Sequence, residues 1–153
     1  MTEEDSLLQQ REAGFDEFYG ALLPSLVEFV GNMGITPAHE VLKHAVAFAP
    51  MLSESLREVD VSDQEDRSWL ILHAGYFIGE FFVQRYRGCW YVNDIQGSRY
   101  FARYVVGRFL DLNNSALMID PFFVAQSYVD SSAPRNLEEM LSAVNAELCG
   151  DQR

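Results

Sequence analysis

The sequence predicts a single α+β domain that spans residues 1–153. Apolar residues recur at helical spacing before residue 87 and after residue 120, whereas the stretch between them is rich in aromatic, β-branched and turn-forming residues. An α+β fold is expected from this order, in which helices are followed by a meander of strands and then by further helices. A chain of 153 residues with 48% hydrophobic content is long enough to bury one core.

The first predicted helix carries apolar residues at every third or fourth position from Leu7 to Phe29. Pro24 predicts a kink or a restart within it, because proline cannot donate the helical hydrogen bond. Gly31 and Gly34 are expected to end the helix.

The second predicted helix begins at Thr36 and Pro37, with a hydroxyl at the cap and proline at the first helical position. Pro50 is expected to divide it from a shorter continuation.

The third predicted helix is long and central. Ser62 and Glu65 form a capping box at its start, and we expect it to run to about Arg87. Gly75 and Gly79 lie four residues apart and would let another element approach the helix closely. Apolar residues cover most of its circumference, which predicts burial, and they include Leu70, Ile71, Phe77, Ile78, Phe81 and Phe82.

After Gly88 the residue types favour strands. Two helices then close the chain: Asp120 caps the first, and Asn136 caps the second, which should end near Gly150. The three strands are predicted to form an antiparallel meander at residues 89–92, 99–106 and 116–119.

The net charge of −12 is unevenly distributed. Residues 1–66 hold fourteen acidic residues against three basic ones, whereas residues 67–108 hold two against six. Residues 109–153 are acidic again, with seven against two. The overall charge argues against nucleic-acid binding and suits a basic protein partner, although the acidic and basic segments could also neutralise each other within the fold.

The sequence predicts a cytoplasmic protein without a disulfide or a membrane role. Cys89 and Cys149 form no CxxC pair, and we expect Cys89 to be a small core residue. The N-terminus lacks the basic region of an export signal. The longest apolar run, Trp69–Val83, is too short to span a bilayer and contains His73 and Glu80.

Motifs that would indicate catalysis are missing from the sequence. It contains no GxSxG elbow, phosphate-binding loop or dinucleotide fingerprint, so no cofactor is predicted. His39 and Glu40 begin a sequence like the zinc-binding helix motif HExxH, but Lys43 occupies the position of the second histidine and His44 comes one residue too late. No metal is predicted either.

One polar pair offers an alternative site. His73 and Glu80 are two helical turns apart and share a stripe of the central helix, as an acid/base couple in a small enzyme or ligand-binding domain would. The structural alternative is that Glu80 pairs with Arg99 or Arg103, because a buried carboxylate must be paired or protonated. In that case Glu80→Gln would lower stability.

A second candidate site is the strand hairpin, where arginines alternate with aromatic residues. Such residues anchor protein interfaces, so the sequence predicts a partner-binding surface here. On a strand, Arg99 and Arg103 would share one face, which could instead be a solvated sheet face paired with acids. The predicted contact residues are Trp90, Tyr91, Arg99, Arg103 and Tyr104.

Gly75 and Gly79-Glu80 in an apolar helix precede Gly88-Cys89-Trp90 at the start of a strand and Asp120-Pro121-Phe122 at the start of a helix. Over residues 70–145 this pattern resembles small uncharacterised bacterial α+β proteins, some of which sit among toxin-immunity and SMI1-like binding modules. The resemblance implies a partner-binding role and transfers no catalytic residue. We therefore expect a non-enzymatic binding module, such as an immunity-type inhibitor of a basic protein, with a homodimer as another option.

Overall fold

The computed structural model describes residues 2–150, most of which are helical. The predicted order of helices, strands and helices is confirmed, and the fold is α+β. The five α-helices are α1 (Glu3–Asn32), α2 (Val41–Leu56), α3 (Gln64–Tyr86), α4 (Pro121–Asp130) and α5 (Leu137–Gly150). The strands are β1 (Cys89–Val92), β2 (Tyr104–Gly107) and β3 (Met118–Ile119).

Helix α1 is continuous for 30 residues through Pro24, so the helix does not restart there. Pro24 and Gly20 are both exposed. The Gly20 carbonyl, which loses its helical donor to proline, can therefore bond to water. At its start, Thr2 and Asp5 form a reciprocal capping box, each side chain accepting the backbone N–H of the other.

Helix α2 begins later than predicted. A short 3₁₀ turn (Ala38–Glu40) follows Pro37, and Thr36 does not cap the helix. The helix then continues through Pro50 without a division, so that prediction is also wrong. Its irregular residue is His44, where φ is −132° and ψ is 43°.

The Gln84 side chain bridges the irregular turn of α2. Its Oε1 accepts the Ala45 backbone N–H at 2.8 Å, and its Nε2 donates to the Val41 carbonyl at 2.9 Å. Ala45 and Val41 would bond to each other in a regular helix. The amide of α3 therefore replaces the missing helical bond and joins the two helices.

Helix α3 is the central buried helix, as predicted. Its cap is Asp63, whose carboxylate accepts the Glu65 N–H at 2.8 Å, and not Ser62, whose own N–H donates to Asp60. The helix ends at Tyr86. Burial is confirmed for Leu70, Phe77, Ile78 and Phe81, none of which is more than 8% exposed.

The two glycines of α3 admit two aromatic rings. A methyl group at Gly75 would overlap the Phe122 ring, and one at Gly79 would overlap the Trp90 indole. Because both rings lie directly on the helix backbone, α3 packs closely against α4 and β1. The predicted close approach at these glycines is confirmed.

The sheet is antiparallel in the order β1-β2-β3, with Trp90 opposite Val106 and Val106 opposite Ile119. Strand alternation turns Trp90 inward and leaves Cys89 exposed, so the prediction that Cys89 is a core residue is wrong. No helix within residues 2–150 has the length and apolar character needed to cross a membrane.

Strand β2 begins at Tyr104 and not at Arg99, because the buried Asn93 holds the preceding residues in turns. The backbone of Asn93 exchanges hydrogen bonds with Arg103 and Ala102. Its side chain donates to Ser98 Oγ and accepts the Ile95 N–H. The prediction that Arg99 and Arg103 share one strand face is therefore wrong.

Candidate recognition surface

Trp90 is part of the core and cannot act as a surface contact, contrary to the sequence prediction. Its indole is 4% exposed and lies over Gly79. The Phe18 ring meets it edge-on at 5.5 Å between centroids. The indole N–H donates to Glu80 Oε1 at 3.0 Å. Trp90 thus joins β1 to α1 and α3.

Glu80 is 6% exposed, and its hydrogen-bond donor is the neutral indole of Trp90. Burial raises the pKa of Glu80, and the indole hydrogen bond opposes that rise only in part. Arg103 pairs with a different carboxylate and Arg99 lies against Tyr100. The predicted pairing of Glu80 with either arginine is therefore wrong.

Arg103 and Tyr104 connect the sheet to the helices around it. The Arg103 guanidinium donates to Asp120 Oδ2 at 2.8 Å, and the other oxygen of Asp120 caps α4. The Tyr104 ring stacks on Phe18 with 4.2 Å between centroids. Its hydroxyl donates to the Arg11 carbonyl at 2.9 Å. Both predicted contact residues thus have structural partners.

Tyr91 and Arg99 lie closer to the surface. Tyr91 is half-buried, and the Arg108 guanidinium covers its ring at 3.9 Å from the centroid. Arg99 is exposed and lies 4.6 Å from the centroid of the Tyr100 ring. Arginines stacked on aromatic rings keep their N–H groups free for a partner. These two residues stay candidate contacts.

His73 and Glu80 have separate partners, so the structure does not assemble them as an acid/base couple. His73 Nδ1 lies 2.8 Å from the Trp69 carbonyl one turn earlier. The imidazole packs against the rings of Trp69 and Phe29, with centroids at 4.7 and 5.4 Å. Across residues 2–150, no three histidine, cysteine or acidic side chains are placed to share a metal ion.

The arginine–aspartate bridges connect the basic middle of the chain to its C-terminal part. Within residues 2–150 there are three such bridges, and each joins an arginine of segment 67–108 to an aspartate after residue 108. They are Arg67–Asp130, Arg87–Asp111 and Arg103–Asp120. The arginines of the middle segment therefore do not neutralise the N-terminal acids.

The acidic N-terminal segment stays at the surface without these counter-ions. Of its fourteen acidic residues, thirteen are exposed. Among the described residues, the only acid of this segment within 4 Å of a basic side chain's nitrogen is Glu40, whose carboxylate oxygens lie 3.5 Å from the imidazoles of His39 and His44. Several of the remaining carboxylates line α1, the 30-residue helix. The sequence left open whether the acidic N-terminal segment and the basic middle segment neutralise each other. In the structure the arginines of the middle segment pair with C-terminal aspartates instead.

Within α1, Glu12, Asp16 and Tyr19 follow one another at steps of four and three residues, so they share one helix face. We call these three residues the α1 stripe. Tyr19 is 40% exposed. Its pKa is raised, first by partial burial and then by the nearby charges of Glu80 and Cys89. The Tyr19 ring stacks on Phe15 with 5.8 Å between centroids, so the stripe presents two carboxylates beside a partly exposed aromatic side chain.

No protein-family model, curated protein or solved structure matches the chain.

Proposed function

We propose that this chain is a non-enzymatic binding module that recognises a basic protein partner through the α1 stripe and the acidic residues around it. An immunity-type inhibitor, which masks a cationic surface of its target, is the most specific form of this proposal. The observation that carries it is the set of thirteen exposed N-terminal acids, whose charge the arginines of the middle segment do not neutralise.

Physical reasoning favours this surface for recognition. Complementary charge accelerates encounter with a basic partner, and the partly exposed Tyr19 supplies apolar area at one end of the stripe. Asp16 lies less than one helical turn before Tyr19, and Glu12 lies two turns before it. One partner surface can therefore contact all three residues. The cytoplasm is the proposed setting, and both cysteines are free and exposed.

The test compares two charge-reversed variants with the same change in net charge. Glu12→Lys with Asp16→Lys alters the α1 stripe, whereas Asp94→Lys with Glu147→Lys alters exposed acids elsewhere. A partner captured from native lysate is purified, and its binding kinetics are measured at several salt concentrations. We expect the stripe variant to lose at least about tenfold in affinity, equal to about 1.4 kcal/mol, mainly through slower association at low salt.

The control variant should stay close to the wild type. An equal loss in both variants would show that only net charge matters, and an unchanged stripe variant would place recognition elsewhere. If the chain captures only copies of itself, the homodimer replaces the basic partner.

The hairpin residues are a secondary part of the proposal. Arg99→Glu removes the exposed guanidinium that stacks on Tyr100 without touching the Arg103–Asp120 bridge. In the same kinetic assay, a change in the dissociation rate supports Arg99 as a contact, and wild-type kinetics exclude it.

A further inference from the structure

A cleft of about 440 Å³ lies between α2, α3 and α5, away from the α1 stripe. Its floor is apolar, because Ala49, Phe81 and Leu141 line it and are each at most 8% exposed. Val46 and Pro50 of α2 form an apolar edge. This volume falls within the range typical of small-molecule sites.

The polar rim of the cleft carries three side chains that can donate hydrogen bonds. Arg85 of α3 and Ser142 and Asn145 of α5 line the cleft. Among the described residues, no carboxylate lies within 4 Å of the Arg85 guanidinium, which instead sits 5.5 Å from the centroid of the Tyr86 ring. Arg85 also opposes the rise in the Tyr86 pKa, which burial and Cys149 cause. Its charge therefore lies close to the Tyr86 hydroxyl.

The amide of Asn145 is oriented by its neighbours. The Tyr86 hydroxyl donates to Asn145 Oδ1, and the Cys149 sulfur lies 3.1 Å from the same hydroxyl, where its S–H can donate. Because Oδ1 already accepts from Tyr86, the amide group has its NH₂ to offer to a ligand, and no residue between 2 and 150 accepts from it. A guanidinium, an amide NH₂ and a hydroxyl around an apolar floor form a site that favours a carboxylate.

We propose that this cleft binds a small molecule that carries a carboxylate on an apolar body. The carboxylate accepts from Arg85 and from the Asn145 amide, and the apolar body covers Phe81, Ala49 and Leu141. Glu138 lies seven residues before Asn145 on α5, about 10 Å along the helix, so it marks the opposite end. Its negative charge keeps the ligand's carboxylate at the Arg85 end.

The experiment titrates the ¹⁵N-labelled full chain with 3-phenylpropanoate and, separately, with the neutral 3-phenylpropanamide. The expected result is saturable shifts of the Asn145 side-chain amide and of the Ala49 and Phe81 backbone amides, with the acid binding at least about tenfold more tightly than the amide. Equal shifts with both compounds, or no saturable shift at millimolar concentration, would overturn the proposal.

Two variants test the donors without disturbing the fold. Asn145→Asp keeps an acceptor for Tyr86 and replaces the NH₂ with a carboxylate oxygen, so binding of 3-phenylpropanoate should be lost. Arg85→Gln should weaken binding at least about tenfold, whereas Arg57→Gln, an exposed arginine outside this cleft, should not. If Arg85→Gln and Arg57→Gln have the same effect, or if Asn145→Asp binds like the wild type, the carboxylate site is excluded.

Discussion

Glu80 in α3 and Asp120 at the start of α4 are buried to nearly the same extent, at 6% and 4% exposure. Their surroundings differ. Asp120 accepts from the Arg103 guanidinium and from two backbone N–H groups of α4. Glu80 accepts from the neutral indole of Trp90. The Asp120 carboxylate thus contacts a cation and a helix N-terminus, whereas the Glu80 carboxylate contacts a single uncharged donor.

This difference shows that burial alone does not decide what a charge contributes to stability. A buried carboxylate loses its hydration, and only opposite charge or several hydrogen bonds restore that loss. Asp120 has both, and the positive end of the α4 dipole adds to them. Glu80 has neither, and its pKa is raised by burial. Removing the charge should therefore lower stability at Asp120 but not at Glu80.

The largest loss of stability is expected for a substitution at Gly79, where the Trp90 indole packs against α3. In Gly79→Ala the new methyl group would overlap the indole that bonds Glu80, and neither the helix backbone nor the buried ring can easily move. We expect a loss of roughly 3 kcal/mol in the free energy of unfolding, at the upper end of overpacking effects. Urea unfolding followed by circular dichroism measures it.

The matched control is Gly20→Ala in α1, where the added methyl group has no atom within 4 Å beyond its chain neighbours and the backbone of its own helix. Alanine is the better helix former by about 0.5–1 kcal/mol, so this variant should gain stability. If both glycine variants gain stability, Trp90 is not seated against α3 as described.

A smaller loss is expected at the Asp120 cap. Asp120→Ala removes the cap of α4 and the partner of Arg103, whose side chain is half exposed and can turn to water. The expected loss is about 2 kcal/mol, since a cap contributes about 1 kcal/mol and a hydrogen bond to a charged group somewhat more. Asp120→Asn keeps the cap and should lose only the part due to Arg103. Equal losses in the two variants would show that the charge contributes little.

The sequence predicted what local rules control. The Asp120 cap, the packing at Gly75 and Gly79 and the burial of α3 follow from residue types at fixed spacings. The partner of Glu80 did not follow, because the bond to Trp90 depends on how β1 crosses α3. Arg99 and Arg103 were the predicted partners of Glu80 on a strand. They contact Tyr100 and Asp120 instead, because Asn93 holds the residues before β2 in turns.

The charge pattern shows the same limit. Composition by segment revealed an acidic start and a basic middle, but it could not say which acids the arginines would meet. Segment 67–108 contains most of α3, which packs against α4, and all of β2, which pairs with β3. Its arginines therefore reach acids of the C-terminal part. The sequence also did not predict that Gln84 would join α3 to α2. Its side-chain amide finds two backbone partners only because α2 is irregular at His44.

The smallest change in the free energy of unfolding is expected for Glu80→Gln. Unlike Gly79→Ala and Asp120→Ala, this variant should not lose stability at neutral pH. The glutamine oxygen can still accept from the Trp90 indole, while the buried charge disappears. Because the folded-state pKa of Glu80 is raised above its ordinary value of 4.5, the folded protein binds more protons than the unfolded one between those two values. This contribution to wild-type stability is complete below pH 4.5 and is lost as pH rises through the folded-state pKa.

Glutamine does not titrate, so the variant should equal or exceed the wild type in stability at neutral pH. The difference between the two should grow with pH from about pH 4.5 and then level off. Thermal unfolding at closely spaced pH values measures this difference, with Glu147→Gln, at an exposed position, as a control for net charge. A Glu80→Gln variant that is clearly less stable at neutral pH would mean that the Glu80 charge has a compensating partner, and the contrast with Asp120 would disappear.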